Sequence, residues 1–406
     1  MALNIDELAK MIGEHLDPDC VIALTQQLVS VPSHTAEGEE QAAAVLENFL
    51  QSAGISNTRQ QVEDVGVNVI ATLPSTTGNV GLLLNGHLDT VPPSSAMPFP
   101  PFAATIEDGK MWGRGTADMK GGIAAMACAL AAVRAADIPL VRPLMLAAVA
   151  SEERGNLGTA ALTRAGIRAE WAVIGEATDL NLVTSHKGVD RYRVIVEGRA
   201  AHESMPDLGV NAIVQAAGII TGLHETLWPE AKRHSHPVLG HPTYNIGTIE
   251  GGTSRNMVPD RCVFQMGKRW LPGDSPEAIR AEIEAAVRSA EPEAKVSVVR
   301  EPEFDRIPHP PLNIAAEHPL VRTLATVTTQ LSGRTPRLDS WGAFTDGALL
   351  QEAGIPTVIF GPGDVSLAHT DDEHIELSQL MAAAEVYAVF AAVVCSSEDM
   401  ERSLAT

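Results

Sequence analysis

Three short apolar runs in the first half of this chain each stop at a side chain of metal-ligand type. Residues 80–84 lead into Asn85-Gly86-His87, residues 143–150 into Ser151-Glu152-Glu153, and residues 171–175 into Glu176. Apolar runs this short, bounded by glycine and polar residues, read as strands buried on both faces. Residues 65–72 read as another strand. Apolar residues at helical spacing predict helices over 37–53, 121–134 and 158–165. Strands alternating with helices imply an α/β sheet with helices on both faces. Ligands of such sheets bind outside the carboxyl ends of the strands, where His87, Glu152, Glu153 and Glu176 fall.

The pattern changes near Gly188. Residues 190–197 alternate as a half-buried strand, 209–227 form an amphipathic helix, and 244–250 and 261–265 read as strands. A helix over 276–290 and a strand over 295–300 follow. This order fits an inserted α+β domain over 188–302. Pro302, Pro308, Pro310 and Pro311 mark the return to the first domain, which takes 1–187 and 303–406. There, helices are predicted over 320–331 and 377–394, with a buried strand over 357–360. A chain of 406 residues can bury two such cores.

The formal net charge of −22 argues against nucleic acid and anionic membrane surfaces as partners. The longest apolar stretches, 121–133 and 381–395, are short and alanine-rich, and the second contains Glu385, so neither is expected to span a bilayer. The start, Met1-Ala2-Leu3-Asn4-Ile5-Asp6-Glu7, lacks the basic then apolar pattern of a signal peptide. Cys20, Cys128, Cys262 and Cys395 are far apart in sequence, with no Cys-x-x-Cys, and read as reduced thiols of a cytoplasmic protein.

His87 and Asp89 stand two apart at a strand end, on one face. His87 reads as a metal ligand and Asp89 as the group that orients its imidazole. Alone, the pair is an ordinary turn. Asp118 lies among Gly113, Gly115, Gly121 and Gly122, where a carboxylate can bridge two ions. The glycine spacing matches neither dinucleotide nor P-loop patterns. Glu152 and Glu153 are adjacent and point different ways, so one can ligate metal while the other faces a metal-bound water. Elsewhere such a pair is a solvated helix start. Glu176, and His369 in a glycine-rich loop, complete the set. Each has a bland reading as a polar loop residue; their joint occurrence does not.

Segments 85–92, 113–122, 151–155, 175–176, 201–206 and 361–370 together resemble the motifs of the M20 family of di-zinc metallopeptidases and amidohydrolases, of the acetylornithine deacetylase, succinyl-diaminopimelate desuccinylase and glutamate carboxypeptidase kind. The resemblance runs in order along nearly the whole chain. It implies a zinc-peptidase-like catalytic domain, with a mixed central sheet flanked by helices, and an inserted ferredoxin-like lid and dimerisation domain. It implies two divalent ions, Zn2+ with Co2+ or Mn2+ tolerated. Asp118 would bridge them, His87 and Glu176 would complete one site, and Glu153 and His369 the other. Glu152 would be the general base of amide hydrolysis and Asp89 the orienting group.

By the same resemblance His202 stabilises the oxyanion, reaching across a homodimer interface. Glu203 stands where relatives more often have a small residue. Asn256 and Arg269 correspond to positions that bind the substrate carbonyl and carboxylate, the arginine able to do so in bidentate fashion. Arg255 is a weaker third contact, and Gly361 with its neighbours offers backbone donors. The expected substrate is a small N-acyl amino acid or a dipeptide with a free carboxylate. The alternatives are a dipeptidase or aminopeptidase of the same family and a non-catalytic peptide-binding relative, the last disfavoured by the complete ligand set. His234, His236 and His241 form a histidine-rich stretch without a carboxylate framework, and His186 is given no role.

Overall fold

The computed structural model describes residues 4–63 and 65–396. Met1–Leu3, the first residues of the stretch read for a signal peptide, lie outside them. The chain forms two compact units. One takes the chain up to Thr184, Ile314–Asp339 and the part from Thr345 on; the other takes Ser185–Asn313 and Ser340–Phe344.

The first unit is built on a mixed sheet. Its strands lie in the order Asn57–Val62, Gly66–Leu73, Leu144–Val149, Val80–His87, Ala169–Ile174, Thr357–Ile359, Leu182–His186. The four from Leu144–Val149 to Thr357–Ile359 run parallel, Gly66–Leu73 and Leu182–His186 beside them run the opposite way, and the edge strand Asn57–Val62, antiparallel to Gly66–Leu73, runs with the four. Val80–His87 is buried along its whole length, as a central parallel strand covered on both faces must be. Two helices, Gly121–Ala135 and Leu377–Ser396, pack on each other and carry few polar side chains. By length and composition alone, helical stretches Thr116–Ala135 and Leu377–Ser396 could cross a membrane, yet 89% and 61% of their most apolar windows are buried inside the protein. They are core helices.

The second unit is an antiparallel sheet in the order Thr243–Gly251, Arg261–Trp270, Gly188–Glu197, Lys295–Arg300. Helices Ala212–Ala231 and Pro276–Ala290 bury Ile219, Leu223 and Ile283 against Tyr192, Val194 and Phe264. The strand-helix-strand-strand-helix-strand order is the ferredoxin-like arrangement.

Several boundaries differ from the expectation for physical reasons. The helix expected from 209 starts at Ala212, because the Asn211 side chain accepts the Ile213 and Val214 N–H groups and caps it there. The strand expected to end at 265 runs to Trp270. Lys268 sits on its core face, 6% exposed, paired with Glu282 at 2.8 Å, and a paired buried lysine interrupts the apolar alternation that would have shown it. Helices Ile5–Gly13 and Pro18–Val29 and the polar edge strand Asn57–Val62 were not anticipated. All four cysteines are free. Distance along the chain misleads for one pair: the Sγ atoms of Cys20 and Cys128 lie 4.0 Å apart, joining helix Pro18–Val29 to helix Gly121–Ala135.

Candidate metal centre and active site

Seven of the residues singled out in the sequence converge at the carboxyl ends of the first unit's parallel strands. His87 ends its strand and is 1% exposed. Its Nδ1 lies 2.9 Å from the Asp89 carbonyl oxygen. An Nδ1–H donated there leaves the Nε2 lone pair facing the site. Nε2 lies 3.0 Å from Asp118 Oδ1 and 3.4 Å from Glu176 Oε1. The other oxygen of Asp118, Oδ2, lies 3.2 Å from His369 Nε2, which is 2.8 Å from Glu153 Oε1. Asp118 therefore stands between two imidazoles with one oxygen for each. His87 and Glu176 gather on one side of it, His369 and Glu153 on the other.

Asp89 differs in detail from its expected role. The imidazole meets the Asp89 backbone carbonyl more closely than the side chain, whose Oδ1 is 3.5 Å from Nδ1. The carboxylate instead accepts the N–H groups of Glu152 on Oδ1 (3.0 Å) and Glu153 on Oδ2 (3.1 Å). It thus ties the glutamate turn to the end of the His87 strand. Glu39, 1% exposed, accepts the Ser151 N–H at 2.9 Å and pairs with Arg154. Ser151 has φ +57°, so the chain bends sharply before the two glutamates.

The Asp118 loop is held by a residue that carries no sequence signal. Glu373 Oε1 accepts N–H groups from Gly115 (2.9 Å), Ala117 (3.2 Å) and Asp118 (3.2 Å), and its Oε2 pairs with buried Arg114. The peptide between Asp118 and Met119 is cis. Two glycines press on the strand end that precedes Glu176. A Cβ on Gly122 would lie 2.1 Å from the Gly175 carbonyl oxygen, and one on Gly361 would lie 2.5 Å from the oxygens of both Gly175 and Glu176. The Gly361 N–H is already donated to Thr178 Oγ1 at 3.0 Å. Gly361 therefore supports Glu176 by close packing, and its N–H is committed within the fold, contrary to its expected use as a free donor.

Charge crowding sets the electrostatics. Burial, then the Asp118 charge, pushes the Glu176 carboxyl up to about 7. Burial raises Glu152 well above the usual carboxylate range, with Asp346, Glu176 and Glu153 adding to it. Burial alone would depress His87, but Glu176, Asp118 and Asp89 hold its pKa well above normal. Asp118 and Glu153 raise His369 to about 10. Burial opposes ionisation of Asp118, and His369 and His87 outweigh it, so its pKa is lowered. A site in which imidazole nitrogens and carboxylate oxygens aim at one another over about 3 Å fits divalent cations, which replace the protons between them. His87, Asp118 and Glu153 bring one ligand atom each within 4.8 Å of one another.

The remaining expected residues lie in the second unit. His202 pairs with Met257 across a two-stranded ribbon, and the Glu203 N–H donates to the Asn256 carbonyl at 3.1 Å, so His202 and Asn256 are neighbours. His202 Nδ1 contacts Ser204 Oγ at 2.8 Å. Among the described residues, Arg269 Nη1 is buried with no hydrogen-bond partner, a state costly for a guanidinium and suited to receiving an anion. His234, His236 and His241 are taken up by local bonds to Glu230, the Val238 and Leu239 N–H groups, and the His234 carbonyl.

A mixed sheet with imidazole and carboxylate donors gathered at its strand ends is the build of a metal-assisted hydrolase. Residues 83–392 match peptidase family M20/M25/M40, and the chain belongs to that family. It is 34% identical over 359 residues to acetylornithine deacetylase of Myxococcus xanthus, covering 85% of this chain and 90% of that one. It is 28% identical to the N-formyl-4-amino-5-aminomethyl-2-methylpyrimidine deformylase of Bacillus subtilis, covering 98% and 99%. Among solved structures, aminopeptidase PepT of Bacillus cereus superposes with a TM-score of 0.77 at 26% identity, covering 93% and 99%. The protein is a hydrolase of amide bonds.

Proposed function

We propose that this protein removes the acyl group from a small N-acyl amino acid, with two divalent cations, zinc by preference, at the strand ends of its first unit. The observation that carries this reading is Asp118, whose two oxygens face the Nε2 atoms of His87 and His369. Asp118 would serve both ions, His87 and Glu176 would hold one, and Glu153 and His369 would hold the other. Bound cations supply the acidity that makes water a nucleophile near neutral pH and polarise the scissile carbonyl. Glu152 accepts a proton from the attacking water and delivers it to the amine nitrogen as the C–N bond breaks. Asp89 keeps Glu152 and Glu153 in place through their N–H groups.

The second unit serves as lid and dimerisation domain. His202 and Asn256 meet the substrate carbonyl from it, with His202 acting across the dimer. The buried Nη1 of Arg269, unpaired among the described residues, supports binding of the substrate carboxylate. Exposed Leu208, Val214 and Ile249 on this unit support a homodimer, and a sedimentation profile showing only monomer would remove the trans role of His202. We place the protein in the cytoplasm, consistent with four free cysteines.

The acyl group is read by a panel of N-acetyl, N-formyl, N-succinyl and N-carbamoyl amino acids, assayed for released amine beside di- and tripeptides. Cleavage of one N-acyl class and of no peptide supports the proposal. Cleavage of peptides alone would establish the peptidase reading, which the likeness to PepT favours.

A further inference from the structure

The base assigned to Glu152 is held by a residue outside every motif that marks the site. The Asn156 side-chain nitrogen Nδ2 lies 2.9 Å from Glu152 Oε1 and 3.0 Å from Asp346 Oδ1. A primary amide has two N–H groups on that nitrogen, and here each reaches one carboxylate oxygen. Asn156 and Asp346 are 4% and 2% exposed, so the fork is enclosed. The amide has one productive orientation: turned over, its carbonyl would face two carboxylates.

The backbone fixes the donor as firmly as the side chain. Asn156 sits at φ +59°, ψ 31°, just before helix Leu157–Arg164, a conformation asparagine tolerates better than most residues. The turn that places it closes on the glutamates themselves. The Gly155 and Asn156 N–H groups donate to the Glu152 carbonyl at 3.1 and 3.0 Å, and the Leu157 N–H donates to the Ser151 carbonyl at 3.2 Å. Asp346 comes from a separate part of the chain, at the start of helix Gly347–Glu352, and anchors the far side of the amide.

We propose that Asn156, braced by Asp346, is the positioning residue of the general base, and that it decides which oxygen of Glu152 carries the proton. This rests on the reading of Glu152 as the base. With Oε1 occupied by the amide N–H, Oε2 receives the proton from water as the C–O bond forms. Oε2 then gives the proton to the amine nitrogen as the C–N bond breaks, so atoms and charge balance within one turnover. A carboxylate free to rotate would present either oxygen, or neither, to the water. Fixing it converts a search into a single geometry.

The test compares steady-state kinetics, metal content and thermal stability of the metal-loaded protein across five single variants and one double variant. Asn156→Gly removes the amide while keeping the left-handed backbone unstrained, and Asn156→Asp keeps the shape but loses both donors. Asp346→Ala removes the brace, and Asp346→Asn keeps an oxygen that can accept. Glu152→Gln reports on the base itself. We expect both Asn156 variants to lower kcat about 10- to 100-fold, with KM and metal content changed less than about two-fold. Asp346→Asn is expected to lose less than Asp346→Ala. In the Glu152→Gln background, Asn156→Gly should cost little more, because the two act through one group. If Glu152→Gln is inactive while the Asn156 variants turn over normally, or if the two losses simply multiply, the positioning role is wrong and the base stands. If Glu152→Gln turns over normally, the base reading itself is overturned. Should Asn156→Gly lose metal or fold, the Asn156→Asp variant and the Asp346 pair decide the matter.

Discussion

The Oε1 atom of Glu373 accepts the backbone N–H of Asp118 at 3.2 Å. One buried oxygen thereby holds the backbone beneath the carboxylate that faces both imidazoles, while the other oxygen of Glu373 neutralises Arg114. Glu373→Gln keeps an oxygen for the three loop N–H groups and strands the Arg114 charge in the core. Removing one partner of a buried ion pair costs about 3–5 kcal/mol. A clearly lowered Tm, together with weaker metal retention on dialysis, is the expected result. An unchanged Tm would show that the pair contributes little.

Two raised groups at the site should each cost chelator-stripped protein stability as pH rises. Glu176 is raised to about 7 from an ordinary 4.5, so its contribution is fully present below 4.5 and lost as pH rises through about 7. His369 is raised to about 10 from 6.5, so its contribution is present below 6.5 and lost as pH rises through about 10. Both terms slope the same way between 4.5 and 10. Metal binding displaces those protons, so its apparent affinity should rise over the same range. Thermal melts of stripped and zinc-loaded protein at a series of pH values check both slopes. Buried Lys120, lowered to about 7, slopes the other way above that pH, so the comparison is with His369→Gln: a wild-type loss no steeper than the variant's over pH 7 to 10 contradicts this electrostatic picture.

Gly361→Ala should disturb Glu176. The added methyl would meet the Gly175 and Glu176 carbonyl oxygens at 2.5 Å, and backbone cannot yield as a flexible side chain can. Overpacking of this kind costs about 1–3 kcal/mol. The expected signature is loss of stability with loss of metal from the Glu176 side. Wild-type stability would mean that the strand end moves freely.

Cys20 should be the thiol that alkylates first. The hydrogen bond from Cys128 lowers it to about 7, and it is partly exposed, whereas Cys128, Cys262 and Cys395 are buried. Limited iodoacetamide treatment at pH 7 followed by peptide mapping should find Cys20 modified ahead of the other three. Equal labelling of all four would refute this.

The residues legible in the sequence are those whose neighbours form a pattern. His87, Glu152 and Glu176 each terminate an apolar run, and a strand end is where an α/β sheet exposes its ligands. His369 lies in no such run and was picked out by its glycine-rich loop and the family resemblance. Glu373, Asn156, Asp346 and Glu39 left no trace. A buried carboxylate that accepts backbone N–H groups needs no particular neighbour in sequence, and its partners come from afar: Asp118 is 255 residues from Glu373, and Asn156 is 190 from Asp346. The Cys20–Cys128 contact, 108 residues apart, was hidden for the same reason. In the second unit, periodicity found the strands and lost the end of one at Lys268, where ion pairing replaces apolar burial.

In the proposed function Asp118, between His87 and His369, organises two divalent cations for amide hydrolysis. The most direct test is to strip the protein with chelator, titrate zinc back, and follow both bound metal and amine released from its best N-acyl amino acid. Stripped protein should be inactive, turnover should return as the sites fill to two per chain, and Asp118→Asn should fail to recover at the same zinc concentration. Full turnover by the stripped protein, or by Asp118→Asn without bound metal, would contradict it.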